Sequence, residues 1–336
     1  MAQKATHLLN CQPLVVLLCV LQLTYVAQCH CQAQKKDSCK ITENREVRFA
    51  FISDTQVPLW FEKLFVSTHR NEEASSILLQ HVSQDSTLSA VFFLGDVTAM
   101  SSFDDQWKVI DTSLSRFSRS HLPTYAVAGN HDYLLFPGEA LGKFKNRFPS
   151  FVQTGYTVRI GHFALILLNS NFDNLSQKER SQQQTWYLDE LDLLRQDTTI
   201  QIIAVACHHP PFSNSSIVGY SQKVRDDFIP PFLQSQKCKV FFSGHAHTFQ
   251  HFIDTLTEKH FFVLGGGGGL LHKLSQSATN DLPDQFHSDS EFRLFHYIHC
   301  KLEQDTLQLS VLMLSADLSG PNPVYNVCIP IDEKTK

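Results

Sequence analysis

The sequence predicts an α/β fold, two packed sheets with helices outside, in one continuous domain covering residues 45–330. Three observations predict it. From Val47 to about His260, short apolar runs alternate with amphipathic segments, and such alternation implies parallel strands joined by crossover helices. Two further pairs of runs, 156–160 with 163–168 and 295–302 with 307–314, are separated only by short polar turns, which adds antiparallel hairpins and makes the sheets mixed. The 336 residues are 43% hydrophobic and 18% charged, enough apolar material for one sizeable core.

The elements follow in order. Residues 1–28 read as an export signal: Lys4 supplies positive charge, and an apolar run spans 14–23. That run is shorter than the roughly 20 residues of a membrane span, and Pro13 and Gln22 interrupt the hydrophobicity around it. A signal anchor and a lipid-modified Cys29 are the alternatives. The expectation is a secreted or otherwise extracytoplasmic protein, in the extracellular space, a lysosome or vacuole, or a periplasm, with no transmembrane span in the mature chain. Residues 29–44 are polar and suggest a flexible lead-in. Cys31, Cys39, Cys207, Cys238, Cys300 and Cys328 lack the close paired spacing of a structural zinc site. One or two disulfides are expected, with Cys300 and Cys328 among the candidates and the connectivity left open. Asn174-Leu175-Ser176 and Asn214-Ser215-Ser216 are glycosylation sequons. The net charge of -5 argues against a nucleic-acid partner.

Runs 47–52, 90–94, 125–128, 200–206 and 240–242 read as buried strands. Between them, Phe103, Trp107, Ile110, Leu114 and Phe117 recur at helical spacing and share one face. Tyr187, Leu191 and Leu194 do the same before the 200–206 run.

Five short polar motifs stand where the runs end. They are Ser53-Asp54-Thr55-Gln56, Gly95-Asp96-Val97, Gly129-Asn130-His131-Asp132, His208-His209-Pro210 and Gly244-His245-Ala246-His247. In open α/β sheets, ligands gather at the carboxyl ends of strands. One motif alone means little, because Asp54 or Asp96 would also serve as a helix cap. Five in succession, each offering oxygen or imidazole donors, point to a shared metal site.

This order of motifs resembles the calcineurin-like metallophosphoesterase superfamily, and in style the chain is similar to secreted purple acid phosphatases. The resemblance implies a four-layer sandwich of two mixed sheets flanked by helices. It implies two divalent or trivalent metal ions (Fe, Zn or Mn) and phosphate-ester hydrolysis with a metal-bound hydroxide as nucleophile. Phosphate esters repel nucleophiles, and two cations supply the charge that overcomes this. By the resemblance Asp96 bridges the metals, Asp54 and His247 hold the first, and Asn130, His208 and His245 hold the second. Gln56 stands where relatives carry histidine or glycine, so it is either a weak ligand of the first metal or a turn residue. His131 contacts phosphate or protonates the leaving alkoxide, and Asp132 holds its other ring nitrogen. Asn130, His131 and His209 are the expected substrate contacts, with His209 on the pocket wall. Residues 265–269, all glycine, suit close backbone approach better than a phosphate cradle, since no Gly-Lys-Ser/Thr ending follows. The expected activity is a phosphomonoesterase of the acid phosphatase type, acting on small-molecule or phosphoprotein esters. A cyclic-nucleotide-type phosphodiesterase and a catalytically degenerate scaffold are the alternatives.

Overall fold

Strand β1 (Val47–Ile52) reads Val-Arg-Phe-Ala-Phe-Ile, and from Phe49 to Ile52 every residue is buried, as a central strand covered on both faces requires. The computed structural model describes residues 46–59, 70–275, 282–288, 290, 292–303 and 305–331. The readings of an export signal, a lead-in and the N-terminal cysteines lie outside the described residues. After β1 come α1 (Asn71–Gln84), β2 (Ala90–Phe93), α2 (Lys108–Arg119), β3 (Thr124–Ala126), α3 (Pro137–Arg147), β4 (Tyr156–Ile160), β5 (Phe163–Leu167) and α4 (Gln177–Gln196). There follow β6 (Ile202–Ala206), α5 (Gln222–Asp227), α6 (Ile229–Gln234), β7 (Cys238–Ser243), β8 (Phe249–Asp254), β9 (Lys259–Leu264), β10 (His296–Leu302), β11 (Thr306–Met313) and β12 (Asn322–Pro330).

These strands make two six-stranded sheets, ordered β12-β11-β10-β1-β2-β3 and β4-β5-β6-β7-β9-β8. Both are mixed. In the first, β1, β2 and β3 run parallel while β10, β11 and β12 return antiparallel. In the second, β5, β6, β7 and β9 run parallel, with β4 and β8 antiparallel at the edges. The period of two sorts side chains between layers. Phe163, Leu165 and Leu167 join the core between the sheets, whereas Ala164, Ile166 and Leu168 pack with Tyr187, Leu191 and Leu194 of α4 on the outer face. Stacked rings knit the sheets together, Phe49 on Phe163 at 4.4 Å and Phe51 on Phe242 at 4.1 Å. Helix α4 begins with a capping box, Ser176 accepting from the Glu179 amide while Glu179 accepts from Ser176.

Three readings are corrected. Phe103 precedes the helical turn at Asp104–Trp107 and is 39% exposed, so it does not belong to the buried stripe of Trp107, Ile110 and Phe117. Strands β8, β9 and β12 escaped the sequence reading; β12 is largely exposed along its length and so lacks a strong apolar pattern. Cys300 and Cys328 are not bonded to each other. Cys300 pairs across from Leu309 and Cys328 from Gln308, adjacent residues of β11 whose side chains point to opposite faces. Among the described cysteines, Cys207, Cys238, Cys300 and Cys328 are all free.

Candidate metal centre

The parallel strands of both sheets end at one place. β1 delivers Asp54 and Gln56, β2 delivers Asp96, β3 leads into Asn130 and His131, β6 delivers His208 and His209, and β7 delivers His245 and His247. β9 runs directly into the glycines at 265–269. Three of these positions, Asp54, Asp96 and His245, take a left-handed backbone with φ of 56°, 48° and 66°. Such strain in non-glycine residues persists where the surroundings enforce it, which is common at functional sites.

Side-chain donors meet in two groups, Asp54 with Asp96 and His247, and His208 with His209 and His245; within each group the donor atoms lie within 4.8 Å of one another. Asp54 is fully buried and accepts from Ser53 Oγ at 2.6 Å and from the His245 amide at 2.9 Å. Asp96 accepts from the His131 amide at 2.7 Å. His208 places Nδ1 on the Leu94 carbonyl at 2.8 Å, so this nitrogen carries the proton. Its Nε2 then faces Asp96 Oδ2 and Asn130 Oδ1, both at 3.2 Å. His247 repeats the device, with Nδ1 on the Leu270 carbonyl at 2.7 Å and Nε2 3.3 Å from Asp54 Oδ1. Orienting one imidazole nitrogen through a carbonyl and freeing the other is how metal-binding histidines are held.

The electrostatics follow from this crowding. Burial disfavours charge on Asp96, but His208, with His131 and His245, outweighs it and holds the carboxyl well below the usual range. Burial likewise opposes charge on His208, yet Asp96 and Asp54 push it up to about 9. His245 has no such hydrogen-bonded carboxylate, and burial beside His208 lowers it to about 4. Two buried carboxylates thus draw positive charge into the cluster.

The residues fit a pair of metal ions. Besides the imidazoles with free Nε2, the Gln56 side-chain oxygen is buried and has no hydrogen-bond partner, with Gln56 Nε2 3.4 Å from His247 Nε2. A buried amide oxygen left without a donor is costly, and a cation is what it can bind. The glycines at 265–269 do serve close approach. The amides of Gly267 and Gly269 donate to the carbonyls of Ser53 and Asp54, so they are not offered to an anion, and a Cβ at Gly269 would run into the His247 ring.

The structure brings Asp54, Gln56, Asp96, Asn130, His131, His208, His209, His245 and His247 to one pole of the molecule. Asp132 is the exception. Its carboxylate is turned away from the His131 ring and accepts from the amides of Val97 and Gly129 and from Ser101 Oγ. His131 Nδ1 meets the Ala99 carbonyl at 3.1 Å instead. The expectation that Asp132 holds the His131 ring is therefore corrected: these three donors from the neighbouring loops engage the carboxylate, and it ties the Asp96 loop to the Asn130 loop. His209 lies against His245, ring centres 4.5 Å apart, with Nδ1 on Ser170 Oγ at 2.8 Å. It stands with the second donor group rather than on the wall of the open pocket.

Sequence reasoning missed His272. Its ring stacks on His247 at 4.5 Å, and its Nδ1 accepts from the His247 amide at 3.1 Å. No spacing signal links position 272 to the motifs; only the fold of the glycine run carries it there.

Two groups of side chains that could hold metal ions thus stand at the carboxyl ends of strands from both sheets. The family model for calcineurin-like phosphoesterases matches residues 47–249, and the chain belongs to that family of phosphoric ester hydrolases. None of the curated proteins matches the chain in sequence. Among solved structures, it is similar to purple acid phosphatase PPD1 from yellow lupin, Lupinus luteus, with a TM-score of 0.67 at 14% identity over 86% of this chain and 54% of that one. The chain thus spans about half the length of the lupin protein. It is similar to GAP50, the anchor in the inner membrane complex of Plasmodium (TM-score 0.63, 14% identity, 87% and 91% covered). A dimetal phosphatase from Danio rerio shares the fold too (TM-score 0.56, 14% identity, 85% and 99% covered). At these identities the likeness is one of fold. No helix among the described residues is long and apolar enough to cross a membrane.

Proposed function

We propose that the chain hydrolyses phosphate esters, monoesters foremost, at a pair of metal ions held by Asp54, Gln56, Asp96 and His247 on one side and Asp96, Asn130, His208 and His245 on the other. The carrying observation is that Asp96 joins the two donor groups: it belongs to the group of Asp54 and His247, and its Oδ2 lies 3.2 Å from His208 Nε2 of the other. Cations held by these residues would supply positive charge to the entering and leaving oxygens of the ester. The protein does the rest. Ser53 and the His245 amide fix Asp54, and the Leu94 and Leu270 carbonyls engage Nδ1 of His208 and His247, so that Nε2 is the nitrogen each ring would offer to a metal. His131 has Nδ1 committed to the Ala99 carbonyl. It lines the pocket, where its remaining nitrogen exchanges a proton with the departing alcohol. Asp132 positions both loops without touching substrate. We read residues 1–28 as an export signal, so that this reaction takes place outside the cytoplasm.

The test is hydrolysis of an aryl phosphate by purified protein. Chelation should abolish it and Mn or Zn should restore it, with the monoester turned over faster than the matching diester. A faster diester would move the assignment to a phosphodiesterase. Metal-loaded protein inert toward both would leave a scaffold.

A further inference from the structure

Beside the donor groups opens a cavity of about 240 Å³, which is room for about eight waters. Its polar lining is the metal centre itself with His131 and His272, and the remainder is aliphatic: Val57, Pro58, Ala99, Ile217, Val218 and Leu270. Among the described residues no lysine or arginine lines it, and its one carboxylate is Asp96 at the floor. A site for a nucleotide, a sugar phosphate or an acidic peptide needs charged or hydrogen-bonding groups beyond the phosphoryl position. This wall offers almost none. Apart from the Gln56 amide beside the donor groups, it offers the ring of His272: Nδ1 accepts from the His247 amide and meets Ser215 Oγ, both at 3.1 Å, which leaves the proton on Nε2.

The wall is built rather than accidental. Residues 213–218 form a loop pinned to the strand segment after the glycines. The Ser216 amide and hydroxyl both bond the Lys273 carbonyl at 2.9 Å, and the Ser275 amide bonds the Asn214 carbonyl at 2.7 Å. The hydroxyl of Ser213 bonds the Val218 carbonyl at 3.3 Å, closing the loop. On that anchored loop Ile217 stands 69% exposed at the cavity rim. A large aliphatic side chain held in water on a tethered loop loses what burial would contribute, and an apolar ligand group restores it. The cation on the neighbouring segment does not serve this cavity, since the Lys273 ammonium sits 5.2 Å over the Phe292 ring.

We propose that the substrates are phosphate esters of apolar alcohols, short alkyl or single-ring aryl, whose hydrocarbon lies against Val57, Pro58, Ile217, Val218 and Leu270. This rests on the phosphoester-hydrolase reading and names its substrate class. Methyl-, propyl- and pentylphosphonate, which resist hydrolysis, separate the two claims when their binding to the Mn-loaded full chain is measured by calorimetry. Affinity should rise about fourfold per methylene, the factor that burial of one CH₂ corresponds to, and Ile217→Ser should flatten that rise. Tighter binding of glycerol 3-phosphate than of pentylphosphonate, or a flat series on the wild-type protein, overturns the apolar assignment. In that event hydrolysis of an aryl phosphate by the same Mn-loaded protein still upholds the hydrolase reading. Loss of all phosphonate binding by loaded protein overturns both.

Discussion

His208 and His247 at the strand ends, and His251, His260 and His296 among the later strands, are all largely withdrawn from water, yet the two groups are poised oppositely. Burial disfavours the charged imidazole in both. At the strand ends a carboxylate lies within hydrogen-bonding reach of each Nε2, 3.2 Å for His208 and 3.3 Å for His247, and both rings titrate above their ordinary range. His251 instead meets the Tyr325 hydroxyl and His260 Nδ1, each at 2.9 Å, and stacks on Phe262 at 4.2 Å. Burial, unopposed by any bonded carboxylate among the described residues, drives it down to about 3, with His260 and His296 at about 4. One pair attracts positive charge. The other three are packing residues that stay neutral.

The largest effect should come from removing the negative partner on which this contrast depends. Asp96→Asn and His208→Ala are each expected to lower turnover by on the order of 10³-fold or more, because charge fixed on the reacting oxygens is lost with the metal. Metal content measured on the same samples should fall in parallel. Near-normal turnover in Asp96→Asn would falsify the two-metal assignment.

His131→Ala sharpens the comparison from within the site. Its Nδ1 is bonded to a main-chain carbonyl and its ring makes no carboxylate pair, so metal content should be nearly unchanged while turnover falls about 10²-fold. The loss should be steepest for esters of poorly acidic alcohols. An equal loss across leaving groups assigns His131 to phosphate binding instead.

Gln56→His asks whether a second nitrogen donor strengthens the weaker group. The Gln56 oxygen is buried without a partner beside His247, and imidazole is a better donor than a neutral amide for Zn or Fe. Affinity for the more weakly held metal should rise by about tenfold, within the range that changes around metal ligands produce. Two equal affinities in both proteins would show that Gln56 faces away.

How much of this was legible in the sequence depends on what kind of signal each residue leaves. Asp54, Asp96, Asn130, His208, His245 and His247 were readable because each follows an apolar strand at a turn, and a turn at a strand end announces itself locally. Strands β1, β2, β6 and β7 were readable as continuous apolar runs for the same reason. His272 and Ile217 were not, since their places depend on how the 213–218 loop and the post-glycine segment bond to each other. The role given to Asp132 failed differently. The family resemblance implied a partner for His131, but the amides of Val97 and Gly129 compete for the same carboxylate, and donors from another loop leave no mark beside it.

The smallest effect concerns the neutral group and is one of stability. An unfolded histidine takes up its proton near pH 6.5, whereas folded His251 holds off protonation to about 3. Between these values the unfolded chain binds more protons than the folded one, so stability is full above about pH 6.5 and is lost as pH falls toward 3. His251→Phe keeps the stacking on Phe262 and removes this proton uptake. It also leaves the Tyr325 hydroxyl without its ring partner, a cost of about 1 kcal/mol that does not vary over this pH range. The variant should therefore start slightly less stable at pH 7.5 and lose stability more slowly on acidification. The gap between the two slopes should approach about 1.4 kcal/mol per pH unit. Urea midpoints for both proteins at equal metal loading from pH 7.5 to 4.5 measure it, and the difference cancels what His296 contributes to each. Parallel lines would mean that His251 is already protonated in the folded protein, and the distinction between the two groups of histidines would be lost.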